Sequence, residues 1–413
     1  MHVTTDQDAF DLLKRLAADQ GLDVAGGRVR RTSSRFCLGV EHGDYNGTEL
    51  FGVGTDRFIW MAYKPNAAGR VRLYSHNFPE DGVVDFALGD VPPPRSDAVA
   101  ETWARFPYGV DHVLRQQGFA LKRGMDAVLV GNIPGGGMSR SASLCINLII
   151  SLVEVNGLIV EPEIRIVDLA QAVENEYIGS PCGQLDQTMI LFAREGMGTH
   201  YDPKSRSIEY VPLGAGAEDF RIVVMDTGTV RPGLEKSTYK VRRAECEQLV
   251  GLLQKAGYAV SCLADVREAA MYERILSQFG ASHPDLCDRL RYIFAAQRRF
   301  YEMMDAWKAG DIGTVGRIFR EDGIGLRDQY RISGPELETM CDIVRTVEGV
   351  LGERMLGGGD KGAAGCLVRA DAVDAVRRAV ETAYPRSRPA FADAFAVHTC
   401  KVVDGVKVFD GVI

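Results

Sequence analysis

The stretch MDAVLVGNIPGGGMSRSASLCINLII, residues 125–150, predicts a strand, a glycine-rich loop and a helix in direct succession. Residues 125–131 have the apolar character of a buried strand, and the apolar run 144–153 indicates a buried helix. Glycines let the loop backbone fold closely around an anion, while the helix N-terminus supplies N–H groups and the positive end of its dipole. The stretch therefore predicts a phosphate cradle, for which a plain glycine-rich turn is the alternative.

Two better-known nucleotide motifs are excluded for this loop. It lacks the GK[ST] ending of a Walker loop. It also lacks the GxGxxG pattern and the acidic residue downstream that mark a dinucleotide site. The predicted phosphate cradle is therefore of another type.

A second stretch, RFCLGVEHGDYNG at residues 35–47, places Arg35, Glu41, His42 and Asp44 within ten positions between two apolar runs. Two carboxylates and an imidazole can bond several hydroxyl hydrogens at once, and vicinal hydroxyls are what a sugar offers. Buried groups of this kind also discriminate against analogues that lack a hydroxyl. The stretch predicts a sugar-binding segment, and its alternative is a solvated loop closed by an Asn-Gly turn.

A third stretch, QAVENEYIGSPCGQLDQ at residues 171–187, contains two carboxylates separated by a turn. Glu174 ends a helical pattern and Asp186 follows the Gly-Ser-Pro-Cys-Gly turn, which can bring both toward one centre. Magnesium bound to nucleotide phosphates usually takes only one or two protein oxygens plus waters, so one glutamate and one serine hydroxyl would suffice. The alternative for Glu174 is a solvated carboxylate on a helix.

Composition and charge restrict the class of protein. The chain has 413 residues, of which 46% are hydrophobic, and this favours a large core divided over two or three domains. A net charge of −8 gives no electrostatic footprint for nucleic acid, so we expect small-molecule partners. The N-terminal segment is an amphipathic helix pattern without a signal-peptide core, and the run 144–153 is too short to span a bilayer. We therefore expect no membrane partner.

The nine cysteines form no CxxC pair, and their number is odd. Scattered cysteines of this kind are typical of reduced thiols in a cytoplasm. We therefore expect a cytoplasmic protein without a zinc site.

The order of apolar runs predicts two units, residues 1–213 and residues 214–413. The first unit begins with a helix and continues as a mixed sheet, with strands at 28–36, 50–62, 71–78, 83–87 and 125–131. It also has a helix at 97–117, an extended segment at 164–167 and a helix at 168–178. The second unit has strands at 220–226, 366–369 and 401–408 and helices at 237–256, 264–279, 285–309, 313–328 and 333–346.

The three stretches resemble the signature motifs of the galactokinases, a branch of the GHMP kinases. The charged residues of 35–47 have the spacing of GRVNLIGEHTDYN, and residues 134–143 are similar to PxGxGLSSSAS. Residues 171–187 resemble QxAExxFxGxPCGxMDQ, with the same distance between the two carboxylates. The resemblance extends over most of the chain, through STYKVRRAECE at 237–247, GIGLRDQYRISGPELE at 323–338 and RMLGGGDKGAAGC at 354–366.

The resemblance implies a two-domain α/β (α+β) fold of GHMP kinase type, with mixed sheets packed with helices and the active site in the cleft between the domains. It implies a kinase that transfers the γ-phosphoryl group of ATP to a hydroxyl, in the first place the anomeric one, of galactose or a related free monosaccharide. Asp186 would be the catalytic carboxylate, and Arg35 would lie beside it as a cation that favours its charged form. Magnesium (Mg2+) would be bound by Ser141 and Glu174.

The same resemblance implies the remaining site residues. The sugar would be bound by Glu41, His42, Asp44, Gly183 and Tyr239. ATP would be bound by Pro134, Gly135, Gly136, Gly137, Ser139, Arg140, Ser141 and Trp103. For Tyr239 and Trp103, a position in the hydrophobic core is the alternative.

Departures from the family pattern leave several alternatives open. The phosphate loop is one residue shorter after Pro134 and carries Arg140 in place of the middle serine, so Arg140 either contacts the triphosphate bidentately or obstructs the cradle. Obstruction would favour a catalytically weak sensor of ATP and sugar. Cys37, Val40 and Gly43 replace Asn, Gly and Thr of the sugar signature, so galacturonate, N-acetylgalactosamine and L-arabinose are alternative acceptors.

The loop within residues 354–366 is about three residues longer than its family counterpart and lacks the family's Phe. Lys361 in this loop is either an added phosphate contact or a solvated charge. A GHMP kinase acting on another alcohol or acid is a further alternative. The EHxDYN and Tyr239 matches disfavour it, because those branches of the family lack them. The sequence predicts no oligomeric state.

Overall fold

Two β-sheets carry the fold, which a computed structural model describes for residues 3–100, 102–230 and 237–413. The larger sheet contains β1 (Arg28–Gly39), β2 (Leu50–Asn66), β3 (Arg70–Ser75), β4 (Val83–Ala87), β5 (Gly124–Gly131), β6 (Met197–Asp202), β7 (Ser207–Pro212) and β12 (Val406–Asp410). The smaller sheet contains β8 (Phe220–Asp226), β9 (Val350–Met355), β10 (Ala363–Arg369) and β11 (Ala396–Cys400).

The larger sheet has the strand order β12-β1-β2-β5-β3-β4, and the hairpin of β6 and β7 extends it from β2. Strands β3 and β5 are parallel, whereas the other neighbours are antiparallel. The smaller sheet has the order β11-β8-β10-β9 and is antiparallel. The predicted class, mixed sheets packed with helices, is confirmed.

The helices are α1 (Asp6–Gln20), α2 (Asp97–Ala100), α3 (Arg105–Gln116), α4 (Arg140–Val155), α5 (Arg165–Ala172), α6 (Leu185–Leu191), α7 (Thr238–Lys255), α8 (Ala269–Phe279), α9 (Pro284–Ala309), α10 (Ile312–Gly325), α11 (Pro335–Arg345) and α12 (Val373–Ser387). Helix α5 continues into a π-helical turn, Val173–Ile178, and α10 into another, Leu326–Tyr330. Such turns are frequent at functional sites, and the first of them contains Glu174.

Most of the predicted elements are confirmed to within a few residues, among them α1, α4, α9 and β8. The extended segment predicted at 164–167 is wrong, because α5 begins at Arg165. Ile166 and Val167 are buried in that helix, and their packing overrides the β-propensity of branched residues. The single helix predicted at 97–117 is instead α2 followed by α3, and the strand predicted at 401–408 is instead the two strands β11 and β12, which end and begin on either side of residues 401–405. The pattern does not predict α12.

Helix α4 is held on the larger sheet by buried polar contacts as well as by apolar side chains. Asn147 Nδ2 donates to the carbonyl oxygen of Arg30 at 3.2 Å, and Ser143 Oγ donates to Thr32 Oγ1 at 2.9 Å. Since a buried polar group is costly without a partner, these bonds fix the position of α4 along β1. They place the loop before α4 next to the part of β1 that contains Arg35.

The smaller sheet also contacts the end of β1 that contains Arg35. Arg354 on β9 is buried and donates from Nη2 to the carbonyl oxygen of Cys37 on β1 at 2.9 Å. Phe36 of β1 stacks on Phe319 of α10, with ring centroids 5.2 Å apart. The end of β1 is therefore where residues of both sheets meet.

The division predicted between residues 213 and 214 falls between β7 and β8 and stays a prediction. Strand β12 belongs by sequence to the second unit, but it pairs with β1 from Arg28 opposite Asp410 to Thr32 opposite Val406. The last strand of the chain therefore returns to the larger sheet.

Within the described ranges, no helix combines the length and the apolar character needed to cross a bilayer. All nine cysteines lie in those ranges as free thiols. The same ranges contain no group of three or more His, Cys, Asp or Glu side chains arranged to hold a metal ion.

We expect His200 on β6 to contribute stability that declines as pH rises. Its Nε2 lies 2.8 Å from Glu49 Oε2 and its Nδ1 lies 3.2 Å from Glu209 Oε2, so the protonated ring donates to both carboxylates, and the bond to Glu49 is the main cause that raises its pKa. A group whose pKa is raised by folding contributes its full stabilisation below its pKa in the unfolded chain, which is about 6.5 for histidine. This contribution is lost as the pH rises through its pKa in the folded protein. His200→Gln should therefore lower the free energy of unfolding by more at about pH 5.5 than at about pH 9.

Urea unfolding at the two pH values measures this difference. The control is the same substitution in a Glu49→Gln background, where most of the pH dependence should vanish. A destabilisation of equal size at both pH values would contradict the role assigned to His200.

Candidate active site

A cleft of about 560 Å³ lies where the two sheets approach and collects most of the predicted site residues. Its wall includes parts of β1, the segment between α2 and α3, the loop before α4, the π-helical turn 173–178, α6 and the loop between β9 and β10. The predicted residues in this wall are Arg35, Trp103, Pro134, Gly135, Gly136, Gly137, Ser139, Arg140, Ser141, Glu174 and Asp186. The predicted sugar contacts form a second group that adjoins Asp186.

Arg35 and Asp186 form the central ion pair of the cleft. Arg35 Nε and Nη2 both bond Asp186 Oδ1, at 2.8 and 2.7 Å, and Nη1 donates to the carbonyl oxygen of Gly137 at 2.8 Å. Burial alone would lower the pKa of Arg35, but the charges of Asp186 and Glu41 outweigh it and raise that pKa above its usual value. The predicted pairing of Arg35 with Asp186 is confirmed, and it holds Asp186 beside the glycine-rich loop.

Glu41 is buried next to Arg35 and bonds a second guanidinium. Arg354 Nη2 donates to Glu41 Oε2 at 3.1 Å, and the hydroxyl of Tyr292 donates to the Glu41 carbonyl oxygen at 2.8 Å. Burial raises the pKa of Glu41, although Arg35 and Arg354 oppose the shift. The carboxylate of the sugar-binding segment is therefore tied to both sheets.

Asp44 faces the backbone of the turn that precedes Asp186. Its Oδ1 accepts from the N–H of Tyr45 at 3.0 Å and its Oδ2 from the N–H of Leu185 at 3.4 Å. A Cβ on Gly183 would lie 2.0 Å from Asp44 Oδ2, so only glycine permits this approach. Burial, followed by the charge of Asp186, raises the pKa of Asp44 to about 6. The structure thus brings the predicted residues Asp44 and Gly183 into contact.

Aromatic rings surround His42. The rings of Tyr239 and Tyr330 lie 5.3 and 5.2 Å from that of His42, and the Tyr45 hydroxyl is 2.9 Å from His42 Nδ1. His42 has a left-handed φ of 61°, and Asn46 Nδ2 donates to its carbonyl oxygen at 2.8 Å. Backbone strain of this kind persists where surrounding contacts enforce it, and it clusters at binding sites. The predicted contacts His42 and Tyr239 therefore lie in one packed aromatic group.

Ser141 and Glu174 meet at the start of α4. Ser141 Oγ donates to Glu174 Oε1 at 2.7 Å, and Gln187 Nε2 donates to Oε2 at 2.8 Å. Burial raises the pKa of Glu174 to about 7, with the Ser141 bond opposing the shift and the charge of Asp186 adding to it. One hydroxyl and one carboxylate next to a phosphate loop are the oxygen ligands that magnesium with phosphates requires.

The glycine-rich loop has the backbone geometry of a cradle. Gly137 and Ser139 have left-handed φ values of 76° and 59° directly before α4. Ser139 Oγ is buried and has no hydrogen-bond partner among the described residues. A buried hydroxyl without a partner costs free energy, which an anionic ligand in the cleft would offset.

Arg140 lies in the first turn of α4 and extends over Phe78. Its guanidinium carbon is 5.3 Å from the centroid of the Phe78 ring, and that ring stacks on Trp103 at 6.3 Å with 14° between the planes. Burial lowers the pKa of Arg140, which the charge of Asp226 partly opposes, and within the described ranges Arg140 forms no ion pair. Trp103 is 4% exposed and lies in the cleft wall, so it belongs both to the core and to the cleft.

Comparisons with known proteins agree with this geometry. The family described as GHMP kinases N terminal domain matches residues 106–194. A galactokinase of Chloroflexus aurantiacus is 33% identical over 361 residues, which are 86% of this chain and 88% of that protein. The chain belongs to the galactokinase family of the GHMP kinases. It is a galactokinase-like sugar kinase.

Solved structures support the same assignment. The galactokinase of Lactococcus lactis, complexed with galactose, has a TM-score of 0.87 at 28% identity, covering 96% of this chain and 98% of that chain. The mevalonate kinase of Methanococcus jannaschii has a TM-score of 0.65 at 13% identity, covering 92% and 99%, and shares the fold. The predicted GHMP kinase fold is confirmed, and the sensor alternative is not favoured because the curated relatives are kinases.

Four residues of this galactokinase-family site are not found by sequence reasoning. They are Phe78, Gln187, Tyr330 and Arg354. All four lie inside stretches that resemble family motifs, Phe78 in LYSHNFPE at residues 73–80, so the resemblance identifies the right stretches. Spacing along one stretch does not reveal which side chain meets a partner from another stretch, and the roles of these residues therefore appear only in the folded chain.

We expect Gly136→Ala to disturb the contact between the phosphate loop and the loop between β9 and β10. A Cβ at Gly136 would lie 2.5 Å from the Cα of Gly362, whereas a Cβ at Gly135 meets nothing within 4 Å. The backbone must shift to accept the first methyl group, which should lower the free energy of unfolding by about 1–3 kcal/mol. The same shift should raise the KM for the phosphoryl donor.

Thermal unfolding and initial rates measure the two effects. The matched control for stability is Gly135→Ala, which should leave the free energy of unfolding unchanged because its methyl group meets nothing within 4 Å. Equal unfolding free energies of the two variants would show that the close contact is not maintained in solution.

Proposed function

We propose that this kinase transfers the γ-phosphoryl group of ATP to the anomeric hydroxyl of galactose. The observation that carries the proposal is the pair of Arg35 and Asp186, which adjoins the hydroxyl-binding segment on one side and the phosphate loop on the other. The curated relatives are galactokinases, and the similar Lactococcus lactis structure contains galactose. The free thiols support a cytoplasmic location.

The phosphates of ATP would lie on the glycine-rich loop. The N–H groups and the dipole at the start of α4 favour an anion there. The buried hydroxyl of Ser139 would gain a partner, and Arg140, which forms no ion pair among the described residues, would gain a direct one with phosphate. The rings of Phe78 and Trp103, with planes 14° apart, offer apolar surface for adenine.

Magnesium would be held by Ser141 Oγ and Glu174 Oε1, which are 2.7 Å apart. This donor set fits an ion that takes its other ligands from phosphates and waters. The pKa of Glu174, raised to about 7 by burial, indicates a carboxylate whose charge a divalent cation would stabilise. When bound, the ion would neutralise charge on the β- and γ-phosphates.

The charges around Asp186 favour an uncharged acceptor. Glu41, Asp44 and Asp186 supply three carboxylates, and the buried guanidiniums paired with them are those of Arg35 and Arg354. Burial is the main cause that raises the pKa of both Glu41 and Asp44, and the charge of Asp186 adds to both shifts, so a further anion would be repelled. This arrangement disfavours galacturonate and suits the hydroxyl groups of a neutral sugar.

The departures from the sugar signature give no reason to prefer another acceptor. Cys37 and Val40 are buried in the hydrophobic core. A Cβ on Gly43 would lie 2.0 Å from Thr48 Oγ1, so Thr48 occupies the space that a side chain at position 43 would take. We therefore place galactose before N-acetylgalactosamine and L-arabinose.

In the transfer, Asp186 would orient the acceptor hydroxyl and take its proton. Both Arg35 bonds end on Asp186 Oδ1, which leaves Oδ2 for the hydroxyl. The hydroxyl oxygen bonds the γ-phosphorus as the bond to the β-phosphate oxygen breaks, and ADP leaves with that electron pair. Arg35 would stabilise the charge on the transferring group, because positioning and charge dominate in phosphoryl transfer.

Turnover of galactose with Mg-ATP should be lost in Asp186→Asn and in Glu174→Gln, while sugar binding persists. The first variant cannot take the proton, so kcat should fall at least about a hundredfold, a typical general-base contribution. The second variant loses the carboxylate expected to bind magnesium. ADP release across a panel of neutral sugars and uronic acids, with calorimetric titration of galactose, measures both effects.

The matched control is Glu176→Gln, an exposed residue in the same π-helical turn as Glu174. It should leave the rate unchanged. Near-normal kcat in either site variant would remove that residue from its role. Turnover of a different sugar alone would replace galactose as the acceptor.

Arg140→Ser, which introduces the family residue, should weaken ATP binding. Loss of a charge-assisted bond to phosphate corresponds to about a tenfold rise in the KM for ATP, with the KM for galactose unchanged. Arg140→Lys should lie between, because lysine keeps the charge without the planar fork. Steady-state rates with each substrate varied separate the two constants. A lower KM for ATP in Arg140→Ser would mean that Arg140 obstructs the cradle.

A further inference from the structure

The loop between β9 and β10, residues 356–362, packs on the phosphate loop. A Cβ on Gly136 would lie 2.5 Å from the Cα of Gly362, so the two backbones are in direct contact. Gly362 is anchored on its other side, because its carbonyl oxygen accepts from the N–H of Thr227 at 2.9 Å and its N–H donates to Thr229 Oγ1 at 2.9 Å. A loop of the smaller sheet therefore forms one wall of the predicted phosphate cradle.

The tip of the same loop is Asp360, which has a left-handed φ of 59°. Its N–H donates to the carbonyl oxygen of Ile332 at 2.6 Å, and a Cβ on Gly334 would lie 1.9 Å from its carbonyl oxygen. Its carboxylate reaches a different element, because Oδ2 accepts from the N–H of Thr238, the first residue of α7, at 2.9 Å. The tip is thus seated on residues 332–334 and bonded to α7.

The bond to Thr238 bears on the sugar side of the site. The first N–H groups of a helix have no partner within it, and a carboxylate there also faces the positive end of the dipole. The next residue is Tyr239, which is 6% exposed and whose ring lies 5.3 Å from those of both His42 and Tyr45. Asp360 therefore holds the turn of α7 that sets the position of Tyr239.

We propose that Asp360 is a positioning residue that couples nucleotide binding to sugar binding. Phosphates on the phosphate loop restrain residues 356–362, Asp360 extends that restraint to the first turn of α7, and Tyr239 is held where the sugar binds. The identity of the two ligands rests on the proposed function. Such coupling is reciprocal, so each ligand raises the affinity for the other by the same factor.

The test compares Asp360→Gly, Asp360→Asn and Lys361→Ala. Glycine tolerates the left-handed conformation and removes the acceptor, whereas asparagine keeps a weaker, neutral acceptor. The neighbouring Lys361 is exposed and lies outside the cleft wall, which favours a solvated charge over a phosphate contact, so it serves as the matched control. Calorimetric titrations of galactose, with and without a non-hydrolysable ATP analogue and magnesium, give the coupling factor. We expect about fivefold or more in the unaltered protein and in Lys361→Ala, an intermediate factor in Asp360→Asn and a factor near one in Asp360→Gly.

Hydrogen exchange separates this proposal from the proposed function. The ATP analogue should slow exchange at the amides of residues 238–243 in the unaltered protein, and not in Asp360→Gly, whichever sugar is the acceptor. If the analogue protects these amides but galactose does not bind, the acceptor is wrong and the coupling stands. Equal protection in Asp360→Gly, or a coupling factor of one in the unaltered protein, would overturn the proposal. If Asp360→Gly does not fold, a factor in Asp360→Asn equal to that of the unaltered protein would overturn it as well.

Discussion

The arrangement of the site depends on the burial of one cation, that of Arg35. Its side chain is 2% exposed and bonds both Asp186 and the carbonyl oxygen of Gly137. A buried guanidinium without partners would be very costly, so the bonds to Arg35 fix the positions of α6 and of the phosphate loop. The charge of Glu41 also acts on Arg35, so one side chain links the proposed sugar-binding segment, the proposed catalytic carboxylate and the proposed phosphate loop.

Arg354 extends this constraint to the smaller sheet. It is buried on β9 and bonds the Cys37 carbonyl oxygen and the carboxylate of Glu41. Buried ion pairs add little net stability compared with apolar packing, but removing one partner is expensive. The pair of Arg354 and Glu41 therefore contributes more to positioning the two sheets than to the stability of the protein. A shift between the sheets at this point would leave a charge buried and unpaired.

Much of the fold could be predicted, because burial imposes a recognisable pattern on elements such as α4 and β8. Residues 164–167 show the limit, since their branched side chains favour a strand and the packing of Ile166 and Val167 selects a helix. The charged residues of the site could be named because their stretches resemble the galactokinase motifs and their residue types suit hydroxyl, phosphate and magnesium binding. Arg354 could not be assigned to Glu41, because the two lie 313 positions apart along the chain.

The amino-acid order alone decides which chemical groups this kinase has, namely closely spaced carboxylates, a glycine-rich loop, a serine and a glutamate, because each of these is encoded in a short stretch. Folding decides which groups meet. It places Arg140 over Phe78, puts Gly183 against Asp44 and bonds Asp360 to the first turn of α7. Hydrogen bonds and close backbone contacts act over only a few ångströms, and the partners come from separate stretches that only the packed sheets and helices bring within that range.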